Sequence, residues 1–270
     1  MSTGAPSGWS PGHRHWRINT TITVVSVVIA LLSASATIFG VLRSHTPTVR
    51  AIVDVPAPSN LPAATKSPEP GSTMCTDDPD RSMSGWGPAR PLYDSDSSPY
   101  ATLDSLWENP NIGDERAFYG VREEGSTAPW SQDLEVKPGK RYVVRAYIHN
   151  NAGSDRAVAR DVNLAVNLPT CSGLSIGSNA FVKASNTFPN EMWGSITFTS
   201  SRTFNLAYVE GSAHLYGNAY GKDGVKIKGT AFLTSAGTLL GSAALDGKVR
   251  AGYENALYFT YVVRPQFASS

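Results

Sequence analysis

Two of the five histidines, His149 and His214, stand where a catalytic base could work, because the other three precede residue 46. A base must lie beside a nucleophile, and neither histidine is flanked by a nucleophile motif such as G-x-S-x-G. The sequence places His149 on the exposed face of a strand and His214 in a loop. We therefore predict that the protein is not an enzyme and needs no cofactor.

The chain has two cysteines, Cys75 and Cys171. In an oxidising compartment the two can form a disulfide, which would tie the segment around Cys75 to the domain that contains Cys171. Separate thiols and intermolecular pairing remain alternatives, because sequence does not give the distance between them. Two cysteines are too few for a structural zinc site, and we predict no metal centre.

An acidic run at residues 94–98, DSDSS, mimics the opening of a calcium-binding loop. Pro99 occupies the position where the loop requires glycine, and Ser105 stands where a bidentate glutamate belongs. The sequence therefore excludes an EF-hand. A looser calcium site with Asp114 or Glu115 stays open beside solvated acidic loops.

Aromatic side chains are a further class with chemical potential. Rings on an outer face or a loop can stack on sugars or anchor a protein partner, although tryptophans also fill cores. The candidate ligand-contact residues are Trp107, Trp130, Tyr147, Trp193, Tyr216 and Tyr220.

Composition limits the class of protein that carries these residues. The 270 residues have a net charge of +1, with 41% hydrophobic and 17% charged residues. This balance gives no electrostatic reason to expect nucleic acid as a partner. Low charge with many small polar and aromatic residues is typical of exported β-proteins.

Residues 18–42 carry no charge and are long enough, as a helix, to cross a bilayer. We predict a transmembrane anchor here, preceded by a short cytoplasmic tail at residues 1–17. A cleaved secretory signal is the alternative, because residues 34–36 read Ala-Ser-Ala. Flanking charges are nearly balanced, so the downstream composition decides the orientation. We predict a single-pass plasma-membrane protein whose C-terminal domain is extracytoplasmic.

Residues 43–101 are rich in Pro, Ser, Ala, Thr and Asp and show no helical or strand period. Such a segment buries too little apolar surface to offset its chain entropy. We predict a disordered linker that spaces the membrane from the following domain.

Residues 102–266 consist of short alternating segments separated by turn residues, which indicates one β-domain. In residues 141–150, RYVVRAYIHN, alternate side chains are apolar, which predicts a half-buried strand. Residues 158–168 alternate in the same way, so a hairpin is the simplest interpretation. Further strands are predicted at residues 117–122, 176–182, 192–200, 204–209, 226–233 and 257–263. The last is apolar on both faces and predicts a central strand. The fold class is therefore all-β, with an immunoglobulin-like β-sandwich favoured over a barrel.

Residues 136–169 combine a Pro-Gly turn, an alternating aromatic strand, an Asn-rich turn with Gly, an A-x-D-V strand and a closing Leu-Pro. In this pattern the chain resembles the conserved-repeat domain of unknown function in surface proteins of Gram-positive bacteria. The resemblance implies an immunoglobulin-like sandwich at the cell surface. It carries no catalytic residues.

Together these features predict a membrane-anchored module that binds, adheres or supports structure at the cell envelope. Its expected partners are the membrane and either cell-wall glycan or another surface protein. The alternatives are the same domain released after signal cleavage and an envelope enzyme acting on glycan or peptide.

Overall fold

The computed structural model describes residues 74–81, 85–220 and 223–267. This part of the chain is all-β, in agreement with the predicted class. Its helical turns are short 3-10 segments, and none of the helices in the described residues is long and apolar enough to span a bilayer. The predicted tail and anchor at residues 1–42 lie outside the described residues.

Twelve strands are formed by the described residues. Their bounds are β1 Met74–Cys75, β2 Gly85–Gly87, β3 Tyr119–Glu123, β4 Asp133–Glu135, β5 Tyr142–Ile148, β6 Asn163–Asn167, β7 Gly173–Lys183, β8 Glu191–Tyr208, β9 His214–Gly217, β10 Val225–Lys226, β11 Thr238–Leu239 and β12 Leu257–Phe267.

Two long strands connect two groups of neighbours in a sandwich-like arrangement. The first half of β12 lies between β5 and β9, which continue to β3 and β10 respectively. The second half of β12 pairs with the end of β8. The earlier part of β8 pairs with β7, which continues to β6 and β11. We call the β3–β5–β12–β9–β10 group the front sheet and the β11–β6–β7–β8 group the back sheet.

The core lies where these two sheets face each other. Tyr119 of the front sheet places its hydroxyl 3.0 Å from Ser178 Oγ of the back sheet and 2.6 Å from the hydroxyl of Tyr261. Gly194 of β8 allows this approach, because a Cβ there would lie 2.9 Å from Tyr119 Cβ. The buried hydroxyls thus satisfy one another inside an apolar core.

The predicted hairpin between residues 141–150 and 158–168 is wrong. β5 pairs with β3 and β12, whereas β6 pairs with β7 and β11 in the other sheet. Alternation fixes which side chains share a face but not which strand is the neighbour, since both sheets offer an apolar surface.

The half-buried character predicted for this strand is also wrong. On its polar face Arg145 is 5% exposed, and Tyr147 and His149 are fully buried. Residues 88–114, which we call the covering segment, lie along the end of β5. Asp104 N donates to His149 O at 2.9 Å, and Asn151 N donates to Thr102 O at 2.9 Å. The front sheet is therefore covered on its outer side at this end.

The linker boundary predicted at residue 101 must be corrected as well. Within the predicted linker, β1 pairs with β7, and β2 pairs with β8. Cys75 is 4% exposed and is bonded to Cys171, with the two Cα atoms 5.7 Å apart. The sequence pattern did not reveal these two strands, because they are very short and lie in a segment of low hydrophobicity. They are buried by their contacts with β7 and β8.

Other strand predictions differ in detail. Residues 192–200 and 204–209, predicted as two strands, fall in one strand, β8, except for residue 209, which follows its end. Residues 226–233 hold the end of β10 and a 3-10 turn, Ala231–Leu233, whose Phe232 packs into the core. The central position predicted for residues 257–263 is confirmed, because β12 has neighbours on both sides there.

Candidate ligand-binding surfaces

The strands of the front sheet bring two arginines and a tryptophan together on its outer face. In the β3–β5 register Gly120 lies opposite Arg145, and Arg122 follows two residues later on the same face. Ser131 pairs with Val121, so the neighbouring Trp130 lies beside β3. A Cβ on Gly120 would come within 3.3 Å of Trp130 Cβ, so the glycine leaves room for the indole.

Two guanidinium groups lie close to the Trp130 ring. Its centroid is 4.2 Å from Arg122 Cζ and 4.4 Å from Arg145 Cζ. The face of an indole carries negative charge density that attracts a cation. We call these three residues the arginine–tryptophan site.

Neither arginine of this site has a carboxylate partner among the described residues. The Nε atoms of Arg122 and Arg145 are buried and donate a hydrogen bond to no acceptor of the protein. Burial lowers the pKa of Arg145 to about 10, and the Arg122 charge acts in the same direction. The charge of Asp104 acts in the opposite direction, but Asp104 forms no ion pair with Arg145. The site is therefore a concentration of positive charge without an ion-paired carboxylate among the described residues.

Aromatic and cationic side chains continue from this site across the outer face. Arg145 lies opposite Thr260, and Thr260 lies opposite His214 on β9. In the adjacent row Tyr258 lies opposite Tyr216. The rings of His214 and Tyr216 are stacked at 5.8 Å, and all of these β9 and β12 side chains are half-buried.

Tyr147 was predicted to contact ligand, and the structure contradicts this. It lies opposite Tyr258 on the same face, but it is fully buried under the covering segment. Asn109 Nδ2 of that segment donates to the Tyr147 hydroxyl at 3.0 Å. The residue fastens the covering segment to the sheet.

Trp107 is 50% exposed and belongs to a second arginine–aromatic stack. Arg116 Cζ is 5.7 Å from the Trp107 ring and 4.1 Å from the Trp86 ring. Here the charge is compensated, because Arg116 Nη2 lies 2.6 Å from Asp114 Oδ2 and its Nε also donates to that carboxylate. The two stacks differ in charge although their geometry is similar.

Trp193 and Tyr220 lie elsewhere. Trp193 is half-buried on β8, directly beneath Gly87 of β2, and Arg81 Cζ is 5.8 Å from its ring. Tyr220 lines a groove of about 640 Å³ together with Asp246 and other residues. Burial raises the pKa of Tyr220 to about 12, and the Asp246 charge adds to this effect. Of the six predicted aromatic residues, the structure thus brings Trp130, Tyr147 and Tyr216 onto one common face, and Tyr147 is buried there.

His149 was predicted to be exposed, and this is wrong: it lies fully buried between two carboxylates under the covering segment. Its Nδ1 is 2.7 Å from Glu115 Oε1, and its Nε2 is 3.3 Å from Asp96 Oδ2. Burial opposes the charge on the imidazole, but hydrogen bonds and attraction from Asp96 and Glu115 prevail and raise the pKa of His149 to about 10. We call these three residues the histidine cluster.

Glu115 is the centre of this cluster. Besides His149, it accepts hydrogen bonds from Leu106 N at 3.0 Å, Asn109 Nδ2 at 2.7 Å and Asn151 Nδ2 at 2.9 Å. A buried carboxylate with several donors is well satisfied. Asp96 and Glu115, which the sequence offered as calcium ligands, thus converge on a histidine. Neither this cluster nor any other group of His, Cys, Asp and Glu in the described part of the chain is arranged so that three side chains could hold a metal ion.

Asp104 and Arg90 lie beside the histidine cluster and are also buried. Asp104 Oδ1 accepts from His149 N at 2.7 Å, while its Oδ2 has no partner. Burial, reinforced by the charge of Glu115, raises the pKa of Asp104 well above its ordinary value. Burial lowers the pKa of Arg90 to about 10. These buried polar contacts hold the covering segment against the front sheet, and they leave little access for a ligand.

Sequence reasoning missed the arginine–tryptophan site. Alternation placed Arg145 on the polar face of its strand correctly, but Arg122 and Trp130 are separated from it by at least 15 residues. The available signal was a strand with Arg, Tyr and His on one face, followed by Asn-Asn. Comparison of the chain with known protein families, curated proteins and solved structures found no match.

Proposed function

We propose that the protein is an extracytoplasmic binding module of the cell envelope, held to the membrane by residues 18–42. The observation that carries this proposal is the disulfide between Cys75 and Cys171. Disulfides persist in oxidising compartments and are rare in the reducing cytosol. The bond therefore supports a location on the far side of the membrane.

A binding role is supported by the outer face of the front sheet. Aromatic and cationic side chains are spread there over neighbouring strands, which suits contact with an extended partner. Cell-wall glycan and another surface protein are the partners that this proposal includes.

We further propose that the fold is an immunoglobulin-like sandwich, related to the conserved-repeat domain that residues 136–169 resemble. The support is the stacking of two largely antiparallel groups of strands around one core, joined where β12 of the front sheet pairs with β8 of the back sheet. An experimental structure tests this by its strand order.

Location is tested with the full chain carrying a C-terminal epitope in intact cells. External protease should remove the epitope, and a membrane-impermeant maleimide should label the cysteines only after reduction. The same chain expressed without residues 1–42 is the control and should stay protected inside the cell. Full protection of the complete chain, or free thiols without reductant, would refute the extracytoplasmic location.

A further inference from the structure

The arginines of the arginine–tryptophan site lack an anionic partner although carboxylates stand close in sequence. Glu123 and Glu124 follow Arg122 on β3, but Glu123 pairs with Lys140 at 2.6 Å and Glu124 pairs with Arg141 at 2.9 Å. Neighbouring acidic residues are thus committed to other cations, which leaves Arg122 and Arg145 uncompensated.

An uncompensated arginine that is 5% exposed is costly for the folded protein. Stacking on Trp130 recovers part of this cost, because the ring attracts both cations. It does not neutralise them, and their mutual repulsion remains. A binding partner that supplies negative charge would remove the repulsion, so the site is complementary to an anion.

The planar shape of the guanidinium group favours a carboxylate. Its N–H donors all lie in one plane, along the edge of the group. A carboxylate is planar and accepts two parallel hydrogen bonds from such an edge. Arg122 is half-buried and can be reached from solvent.

The surroundings of the site favour a sugar chain. From β3 to β9 the outer face crosses three strand spacings of about 4.8 Å, or roughly 14 Å. Tyr258 and Tyr216 lie side by side along this path, and aromatic rings offer apolar faces on which sugar rings can stack. A half-buried sheet face of this extent suits a polymer better than a small molecule, which usually requires a concave pocket.

We propose that the outer face of the front sheet binds a carboxylate-bearing polysaccharide, with Arg122 pairing with an acid group beside Trp130 and the buried Arg145 adding positive charge behind it. This inference rests on the proposed function and adds the chemical class of the partner. In this proposal the rings of Tyr258 and Tyr216 stack against the sugar rings that follow the bound acid group.

The test uses the full-length protein in nonionic detergent and a fluorescently labelled oligogalacturonate. Binding is measured by anisotropy at low and at physiological salt, with a neutral oligosaccharide of the same length and a sulfated one as competitors. We expect binding that weakens as salt rises and that the neutral sugar does not displace. Arg122→Gln should raise Kd at least about tenfold, because a hydrogen bond to a charged group is lost.

Arg116→Gln is the matched control, since Arg116 also stacks on a tryptophan but is neutralised by Asp114. Its Kd should equal that of the wild type. Arg122→Lys keeps the charge without the planar edge and should fall between wild type and Arg122→Gln. Unchanged thermal unfolding of each variant shows that the fold is intact.

Equal binding by wild type and Arg122→Gln, equal loss in Arg116→Gln, or displacement by the neutral sugar would overturn the inference. Binding of the sulfated sugar alone would overturn the carboxylate assignment. The location experiment gives a separate result: a disulfide-bonded domain outside the cell that ignores oligogalacturonate leaves the proposed function standing and removes only this inference.

Discussion

At the scale of single residues, the histidine cluster makes the stability of the fold depend on pH. The folded pKa of His149, about 10, exceeds its ordinary value of 6.5. Protonation therefore stabilises the folded state fully below pH 6.5, and this contribution is lost as the pH rises through about 10. Asp96 contributes to the pH dependence of stability at acidic pH, because hydrogen bonds from His149 and Asn151 help to lower the pKa of its carboxyl despite burial.

We expect the free energy of unfolding to fall by a few kcal/mol between about pH 7 and 10, and NMR of the imidazole nitrogens should show His149 protonated at pH 8. Denaturant unfolding at several pH values measures the slope. His214→Asn, which leaves the cluster untouched, should keep the slope. A neutral His149 at pH 8 would contradict the prediction.

Neutral replacements of two buried acids in this region should differ strongly in their cost to the stability of the fold. Glu115→Gln removes the charge that holds His149 and sets an amide against its donors, so it should cost about 3 to 5 kcal/mol. Asp104→Asn should change stability by less than about 1 kcal/mol at pH 7. Burial raises the pKa of its carboxyl and so disfavours the charge that the substitution removes, and asparagine tolerates the positive φ of 48° at this position.

Denaturant unfolding at pH 7 compares the two variants directly. A cost for Asp104→Asn as large as that for Glu115→Gln would mean that Asp104 is ionised in the folded protein. The pair separates a carboxylate that the cluster needs from one that it only tolerates.

At the scale of elements, β2 must lie very close to β8. A Cβ at Gly87 would lie 2.6 Å from the Trp193 ring, which is rigid. Gly87→Ala should therefore destabilise the fold by about 1 to 3 kcal/mol through overpacking. The cost should shrink in a Trp193→Phe background, because phenylalanine lacks the five-membered part of the indole that the new methyl group meets. A double-mutant cycle of unfolding free energies measures this coupling, and strictly additive costs would contradict it.

At the scale of the whole molecule, the disulfide links residues that are 96 positions apart. Closing a loop of this length restricts the unfolded chain and is worth up to about 4 to 5 kcal/mol. Cys75→Ser, Cys171→Ser and the double variant should lose about the same stability, since each removes the same bond. Guanidinium unfolding in detergent, followed by tryptophan fluorescence, provides the measurement. A single variant that matched the oxidised wild type would show that the bond does not form.

Periodicity along the chain was sufficient for the local part of this description. Alternating apolar residues identified the strands of five or more residues, the all-β class and the central position of β12, because the faces of a strand repeat every two residues. The same alternation placed Arg145, Tyr147 and His149 together on one face.

Only the tertiary structure decided what covers that face and which strands are neighbours. Residues 88–114 lack any strand period, yet they bury His149 and Tyr147 through hydrogen bonds to residues distant in sequence. Trp130 reaches Arg145 across Gly120 because two strands and a loop meet there. Sequence determines the face on which a side chain lies, whereas partners, burial and uncompensated charge arise from long-range contacts that no local pattern encodes.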